Sequence, residues 1–348
     1  EKYFTGKVLR FDFMLAGHSK EAGVYPVGME EEPFYAGSRQ NLTDPFNYGN
    51  FRYEVFDAAE NKLIYSRGFC TLFQEWQTTG EADTLDRSFY EVATMPYPKN
   101  KVRFVLSMRK KSGNFSPLYE TIIEPDNFYI RKEKPLNVIY SRIYGTGDPA
   151  TCVDLAFVAE GYKQDEMVKF RNDVKLLADV LIAEPPFNEY PGKINIWAVE
   201  AVSEESGTDV PGERIYVNTA LNSSFYTFGT DRYLTTTDIK AVNDYASVVP
   251  HDNIIVLINS ERYGGGGVYN YYSGTTAGHQ LSPIVFIHEF GHGFAGLADE
   301  YYTSDVAYND FYPSDLEPWE PNITTLVNFE SKWKHLISKD TPVPTPPE

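Results

Sequence analysis

The first part of the chain alternates between apolar and polar side chains from one residue to the next. The clearest case lies within residues 8–15, where the apolar positions include Leu9, Phe11, Phe13 and Leu15. A period of two is typical of a β-strand with one buried face, so we expect a half-buried strand here. Similar segments, separated by Pro, Gly, Asn and Asp, recur at residues 51–56, 62–65, 88–93, 102–108 and 119–123. Several short strands at this spacing predict an antiparallel β-sandwich over residues 1–131.

A different pattern begins near residue 132. Continuous apolar runs predict buried strands at residues 153–158, 194–199 and 254–258. Apolar residues at helical spacing predict a helix over residues 165–183, and Thr237 and Asp238 predict the start of a second helix. Strands that alternate with helices in this way favour a three-layer α/β domain over residues 132–348. The whole chain is therefore predicted to be an α+β protein of two domains.

A long segment, residues 203–236, connects the second of these strands to the second helix. It is rich in Gly, Ser, Thr and Asn, and it is too long for an ordinary connection in a compact domain. Long connections of this kind are often functional. Its first residues, 203–207, form either a solvated turn or part of a substrate rim, and we favour the solvated turn.

Charge and composition exclude several classes of function. The chain of 348 residues has a formal net charge of −18, from 31 basic and 49 acidic residues, which repels nucleic acid. No apolar run approaches the roughly 20 residues that a membrane-spanning helix needs. Cys70 and Cys152 are expected in different domains, so they are interpreted as small buried residues and not as a redox or zinc pair.

The candidate chemistry lies on one predicted helix that begins at Ser282 and Pro283. Ser is a common N-cap residue, and Pro is compatible with the first helical turn. His288 and His292 are four residues apart, so on a helix both side chains project from one face and can share one tetrahedral Zn²⁺ ion. Glu289 lies next to the first histidine, where its carboxylate can act as general base on a zinc-activated water. The segment matches the H-E-x-x-H pattern.

A catalytic zinc ion usually has three protein ligands, so a third ligand is expected after the helix. Gly296 can end the helix in a left-handed conformation and turn the chain back towards the histidines. Asp299 is the preferred third ligand, and Glu300 is its competitor. Tyr301 follows directly and has two possible roles, donation of a hydrogen bond to the tetrahedral oxyanion or plain packing. Packing is the favoured interpretation.

A run of glycines follows the third buried strand and offers main chain without side chains. Its members Gly265, Gly266 and Gly267 belong either to an edge strand that pairs with an extended peptide or to a flexible loop. The sequence does not decide between these two interpretations. We name the three glycines, together with Tyr301, as candidate substrate-binding residues.

Three segments make the sequence similar to a known family. HEFGHGFAGLADEY at residues 288–301, FVAEGY at residues 157–162 and ESGTD at residues 205–209 closely resemble the bacterial IgA-specific zinc metallopeptidase family. The resemblance implies a zincin-like catalytic domain from residue 136 onward. It also implies that residues 1–131 form the β-sandwich that precedes this domain in Bacteroides-type members.

The same resemblance implies a function and a location. We expect a secreted or cell-surface enzyme that hydrolyses peptide bonds, with Zn²⁺ held by His288, His292 and Asp299 and with Glu289 as the base. The expected partners are protein or peptide substrates. Host immunoglobulin A is one hypothetical substrate, and other host or dietary proteins are equally compatible.

Two further expectations concern the completeness of the enzyme. The rival hypothesis is a surface protein that binds protein or glycan through its β-sandwich and carries an inactive peptidase domain. The intact Glu289 argues against it, because a binding module does not need the base beside both histidines.

The resemblance also implies a Met-containing turn beneath the metal, after the point where this sequence stops, so we expect a truncation at the C-terminus.

Overall fold

The computed structural model describes residues 2–132, 134–300 and 314–343. Most of the first range folds into strands. These strands are β1 (Phe4–His18), β2 (Glu21–Glu32), β3 (Phe51–Asp57), β4 (Lys62–Phe69), β5 (Arg87–Pro98), β6 (Val102–Arg109), β7 (Phe115–Ile123) and β8 (Ile130–Arg131). A short helix, α1 (Leu72–Trp76), lies between β4 and β5.

The N-terminal strands form two sheets that share one core. Their strand orders are β5-β1-β2-β8 and β4-β3-β6-β7. Neighbouring strands are antiparallel except β2 and β8, which pair in parallel over a short stretch. The ring centroids of Phe11 on β1 and Phe104 on β6 lie 5.1 Å apart across the core. The prediction of an antiparallel, β-rich N-terminal part is therefore confirmed.

The second part of the described chain is built around one six-stranded mixed sheet. Its strands are β9 (Tyr140–Tyr144), β10 (Val153–Glu160), β11 (Ile194–Val199), β12 (Asn253–Ile258), β13 (Gly265–Val268) and β14 (Tyr272–Thr276). The α-helices described here are α2 (Met167–Ala183), α3 (Ile239–Ala246) and α4 (Ser282–Ala295). The strand order is β13-β14-β12-β10-β11-β9, and the four inner strands are parallel while both edge strands are antiparallel to their neighbours.

The helices lie where the apolar spacing predicts them. The buried residues of α2 recur every three or four positions and so share one face, as at Phe170, Val174, Leu177 and Leu181. α2 contacts α4, β9 and β11, whereas α3 contacts β10 and the N-terminal strand β5. The predicted strands and helices of this part are present, and the zincin-like three-layer arrangement stays a prediction.

The long segment at residues 203–236 is folded onto the end of β10 by one buried carboxylate. Glu160 is fully buried and accepts hydrogen bonds from Thr219 Oγ1 at 2.6 Å and from the main-chain N–H groups of Leu221 and Ser223, both at 2.8 Å. These bonds satisfy the carboxylate without solvent. The segment is therefore an ordered part of this domain, while Glu204 and Glu205 near its start are exposed, as a solvated turn requires.

The turn between β13 and β14 inserts into the N-terminal core. The main-chain N–H of Cys70 donates to the carbonyl of Tyr269 at 2.9 Å, and Asn270 Nδ2 donates to the carbonyl of Gly68 at 2.8 Å. Val268 and Tyr269 belong to the same apolar cluster as the sandwich residues. The two parts of the chain are thus packed together, and the predicted boundary after residue 131 stays a prediction.

The polar face of β1 differs from the expectation. Arg10 and Asp12 are buried, because this face is covered by α3 and by neighbouring strands. Arg10 Nη1 lies 2.7 Å from Oδ1 of Asp244 on α3, and Arg10 Nε lies 2.6 Å from Oδ1 of Asp12. The prediction of a half-buried strand is therefore wrong for this stretch of β1. Alternation identified the strand correctly but gave no sign of the second layer.

The two cysteines are both free. Cys70 is buried, as predicted, whereas Cys152 is only half-buried. Among the residues that the structure describes, none of the helices is both long and apolar enough to cross a membrane.

Candidate metal centre

The N-cap of the helix that carries the two histidines lies one residue before the expected cap, Ser282. Leu281 occupies the N-cap position and makes no side-chain capping bond, and Pro283 lies in the first turn. Ser282 is already inside α4, and its buried Oγ has no hydrogen-bond partner in the described part of the chain. The prediction that Ser282 caps the helix is therefore wrong.

α4 buries one face and leaves the histidines on another. Val285, Phe286 and Phe290 are buried against the sheet and its neighbours. His288 and His292 follow each other one helical turn apart, with their ring centroids separated by 4.5 Å. Their Nε2 atoms approach to 3.0 Å. The helix therefore aims two imidazole nitrogens at one point.

The chain after α4 turns back as the glycine predicts. Gly296 adopts a left-handed conformation with φ of 67°, and its N–H donates to the carbonyl of His292 at 3.0 Å. Leu297 N donates to the carbonyl of Gly291 at 3.2 Å, which completes a helix-ending pattern typical of glycine. The reversal brings Asp299 to the histidines. Its Oδ1 lies 3.2 Å from Nε2 of each ring.

The two candidates for the third ligand lie in different surroundings. Asp299 groups with His288 and His292, and their three ligand atoms all lie within 4.8 Å of one another. The carboxylate of Glu300 points elsewhere, because its Oε1 accepts a hydrogen bond of 2.8 Å from Asn322 Nδ2. Tyr301 lies outside the described residues.

The geometry of this group fits a zinc ion. Ligand atoms about 2.0–2.1 Å from a tetrahedral zinc ion lie roughly 3.3 Å from one another, and the three distances here are 3.0, 3.2 and 3.2 Å. His292 Nδ1 lies 2.5 Å from the carbonyl of Leu297 and donates a hydrogen bond to it, so Nε2 is the nitrogen that would bind the metal once it has lost its own proton. Two imidazoles and one carboxylate are also a donor set typical of catalytic zinc.

The three charged groups shift one another's pKa values. Burial would raise the pKa of Asp299, but hydrogen bonds from His288 and His292 outweigh it and hold this pKa well below its usual range. Burial lowers the pKa of His292, whereas the hydrogen bond with Asp299 and the charge of Glu289 raise it, with a net pKa of about 9. Burial raises the pKa of Glu289 to about 7 against the opposing charges of the two histidines. These shifts place a carboxyl of near-neutral pKa beside the histidines.

The glycine run forms β13, and it packs directly on α4. A Cβ added at Gly265 would lie 2.9 Å from Glu289 Oε1, and one added at Gly267 would lie 2.2 Å from the carbonyl oxygen of Glu289. Main chain without side chains is therefore required for this close approach. The substrate-binding role of Gly265, Gly266 and Gly267 stays a prediction.

One pair of residues near the centre escaped the sequence analysis. Glu75 comes from α1 in the N-terminal part, and its Oε2 accepts a hydrogen bond of 2.5 Å from Tyr233 Oη. Burial raises the pKa of Glu75 to about 7, and the charges of His292 and Glu289 also act on it. No motif marks Glu75, because it lies far from the histidines in sequence and is linked to this region only through Tyr233, which bridges to Gly265 on β13.

Comparison with known proteins identifies one class of protein. A family model described as IgA Peptidase M64 matches residues 142–348, and a model described as Peptidase M64 N-terminus matches residues 1–120. Both describe a peptidase, so the class is a peptidase with its own N-terminal domain. Because the first match covers more than half of the chain, the chain belongs to the IgA peptidase M64 family. The resemblance inferred from the sequence is thereby confirmed. No curated protein matches the chain.

Proposed function

We propose that this protein is a zinc-dependent endopeptidase that hydrolyses peptide bonds in extracellular proteins. One observation carries the proposal: His288 Nε2, His292 Nε2 and Asp299 Oδ1 form a triangle with sides of 3.0–3.2 Å on and just beyond one helix. The family match supports peptide-bond hydrolysis, and the donor set supports zinc.

The proposed mechanism uses Glu289 to move the proton. A zinc ion held by His288, His292 and Asp299 would supply Lewis acidity towards the scissile carbonyl and lower the pKa of water. The carboxylate of Glu289 takes a proton from the attacking water and delivers it to the leaving amine. The main chain of Glu289 is fixed by Ser273 Oγ, which donates to its carbonyl at 3.0 Å.

We place the substrate along β13. This strand lies at one edge of the sheet, and Tyr233 bridges to it at Gly265. An extended peptide would pair with the main chain of the following glycines, Gly266 and Gly267, next to Glu289. Immunoglobulin A is a candidate substrate because the family carries its name, and other host or dietary proteins meet the same requirement of an extended segment. Such substrates imply a secreted or cell-surface enzyme.

The test combines metal content with cleavage. We expect about one zinc per chain by elemental analysis and chelator-sensitive cleavage of a mixed peptide library. Glu289→Gln should lower turnover by at least about 10²-fold, since it removes the base, while zinc is retained. Glu300→Gln is the matched control and should keep both zinc and activity. Full activity of Glu289→Gln would defeat the assignment, and a chain with neither zinc nor cleavage would favour the binding-protein hypothesis.

The ligand assignment needs its own comparison. Asp299→Ala should lose zinc, because it removes one of three ligands. Glu300→Ala removes only one hydrogen bond with Asn322 and no ligand, so it should weaken zinc binding far less than Asp299→Ala. The dissociation constant of zinc, measured by competition with a coloured chelator, reports this without any substrate. Loss of zinc from Glu300→Ala alone would reverse the assignment.

A further inference from the structure

The side chain of Asn322 pairs with the main chain next to Asp299. Its Oδ1 accepts from the N–H of Ala298 at 2.8 Å, and its Nδ2 donates to the carbonyl of Ala298, also at 2.8 Å. The same Nδ2 donates to Glu300 Oε1 at 2.8 Å. A single amide thus uses its acceptor and both donors on the residues that flank Asp299.

This pairing holds the second half of the loop that carries the carboxylate of Asp299. Before Asp299, the loop is held by α4 itself, through the bonds at Gly296 and through His292 Nδ1, which lies 2.5 Å from the carbonyl of Leu297. These contacts end at residue 297. From residue 298 to residue 300, apart from the contacts of Asp299 with the two histidines, the described hydrogen bonds that hold the loop come from Asn322.

Asn322 is itself held by a nearly buried lysine. The ammonium of Lys332 donates to the carbonyl of Glu320 at 2.7 Å and also to the carbonyl of Ile323, on either side of Asn322. Its charge is balanced by Glu317 Oε1 at 3.3 Å, and the Lys332 side chain is only 9% exposed. A side chain that is anchored in this way can set the position of another residue.

An aromatic contact joins the same segment to the end of α4. The ring centroids of Trp319 and Tyr269 lie 5.6 Å apart, and a Cβ added at Gly296 would lie 2.9 Å from Trp319 Cζ3. The segment therefore packs against the point where the helix ends. In sequence, α4 precedes the loop and this segment follows it, since Asn322 lies 24 residues after Ala298.

We propose that Asn322 is a positioning residue that holds the loop at residues 298–300 so that Asp299 Oδ1 stays within ligand distance of the two histidines. The inference rests on the proposed zinc centre and adds to it a residue that touches no ligand atom. Outer contacts of this kind typically change metal affinity about 10- to 100-fold when they are removed. Asn322 acts through the main chain of the loop, and Asp299 acts on the metal.

The experiment measures zinc affinity on the whole chain by chelator competition. Asn322→Ala should weaken zinc binding by about 10- to 100-fold, because Ala298 and Glu300 lose their partner. Asn322→Asp, whose side chain has the same shape, should bind zinc no more tightly than Asn322→Ala does. Its carboxylate cannot donate a hydrogen bond to the carbonyl of Ala298, and it repels Glu300. Asn328→Ala is the control, because the side chain of Asn328 makes no described contact with the loop. Its zinc affinity should equal that of the wild type.

Two further readouts separate positioning from general stability. The visible spectrum of the Co²⁺-substituted protein should change in Asn322→Ala and not in Asn328→Ala, since it reports the ligand geometry directly. Adding Glu300→Gln to Asn322→Asp restores a donor to the new carboxylate, so the double variant should recover part of the zinc affinity. The unfolding temperature of the zinc-free protein is measured alongside for every variant.

The outcomes are distinct. The inference fails if Asn322→Ala and Asn322→Asp bind zinc as tightly as the wild type with an unchanged cobalt spectrum. It also fails if affinity falls only in variants whose zinc-free form has unfolded. If Asp299→Ala itself binds zinc normally, the proposed metal centre is wrong; if Asp299→Ala loses zinc and Asn322→Ala does not, only the role of Asn322 is wrong.

Discussion

Glu289 is the residue at which the helix and the glycine strand approach most closely. Its side chain faces Gly265 and its main-chain carbonyl faces Gly267, so a Cβ at either glycine would overlap with it. His292 is also near, since a Cβ at Gly267 would lie 3.0 Å from its Cβ. Strand β13 therefore fixes how far α4 lies from the sheet. The glycines have a structural role whether or not they also bind substrate.

A substitution at Gly267 tests this role. Gly267→Ala should lower the free energy of unfolding by about 1–3 kcal/mol, because a main-chain atom cannot move aside as a flexible side chain can. It should also weaken zinc binding, since α4 carries both histidines. Gly28→Ala is the matched control on β2, where an added Cβ meets nothing within 4 Å, and its effect should stay within about 0.5 kcal/mol. Urea denaturation measures the free energy of unfolding of both variants. Equal stability of the two would contradict the close approach of Gly267 to α4.

The sequence predicted the residues of the centre better than their surroundings. Spacing alone places His288 and His292 on one face, because the helical period is fixed by main-chain geometry. Glycine has no side chain, so the run at β13 shows no periodicity, and strand and loop remained equally compatible. Asn322 and Glu75 lie far from the motif in sequence, and only tertiary packing brings them to it. Such contacts leave no local pattern.

At the scale of single elements, two helix starts behave differently. α3 begins at a true cap, where Asp238 Oδ1 accepts from the N–H of Ala241 at 3.1 Å. α4 begins without a side-chain cap, and Ser282 lies one position inside the helix. Both starts have a residue type that favours capping. Residue type alone therefore predicted where the helices begin to within one residue, but it did not identify the N-cap residue of α4.

The difference predicts opposite responses to removal of the polar side chain. Asp238→Ala should destabilise the protein by about 1 kcal/mol, because it leaves a helix N–H without its acceptor. Ser282→Ala should be neutral or slightly stabilising, since it removes a buried hydroxyl that has no described partner. Denaturant titration of the two variants under the same conditions provides the comparison. A loss at Ser282 as large as that at Asp238 would show that Ser282 caps α4 after all.

For the whole molecule, the important contact is the turn of the β13–β14 hairpin. Both strands of this hairpin contact α4, and Val268 and Tyr269 at its turn belong to the apolar core of the N-terminal part. The N-terminal part therefore supports the candidate metal centre from behind. Alternation could not predict this, because the pattern of apolar positions is the same whether a strand faces its own domain or a neighbouring one. The β-strands could be predicted from the sequence, but the residues of the other part of the chain that they pack against could not.

Glu91 on β5 is a buried titratable group that lies next to Tyr271 of this hairpin. It is fully buried, and neither of its carboxylate oxygens has a hydrogen-bond partner in the described part of the chain. Burial raises its pKa well above the ordinary value of 4.5, and the nearby Tyr271 opposes only part of that shift. Tyr271 belongs to the hairpin turn, so it comes from the other part of the chain. A carboxyl with a raised folded pKa keeps its proton in the folded protein where the unfolded chain has already lost it. Its contribution to stability is therefore complete below the unfolded pKa and is lost as the pH rises through the folded pKa.

Glu91→Gln isolates this contribution, because the amide is neutral at every pH. The free energy of unfolding of the wild type relative to Glu91→Gln should fall as the pH rises above 4.5, the ordinary pKa of the carboxyl, by up to about 1.4 kcal/mol per pH unit. Urea denaturation of the zinc-free proteins at several pH values between about 5 and 8 measures this difference and keeps the metal ligands out of the comparison. Glu21→Gln is the control for the substitution itself, since the side chain of Glu21 is 82% exposed, and it should change the free energy of unfolding by no more than about 0.5 kcal/mol. If the difference for Glu91→Gln does not change with pH, the carboxyl reaches solvent in the folded protein and the hairpin does not exclude water from the contact between the two parts.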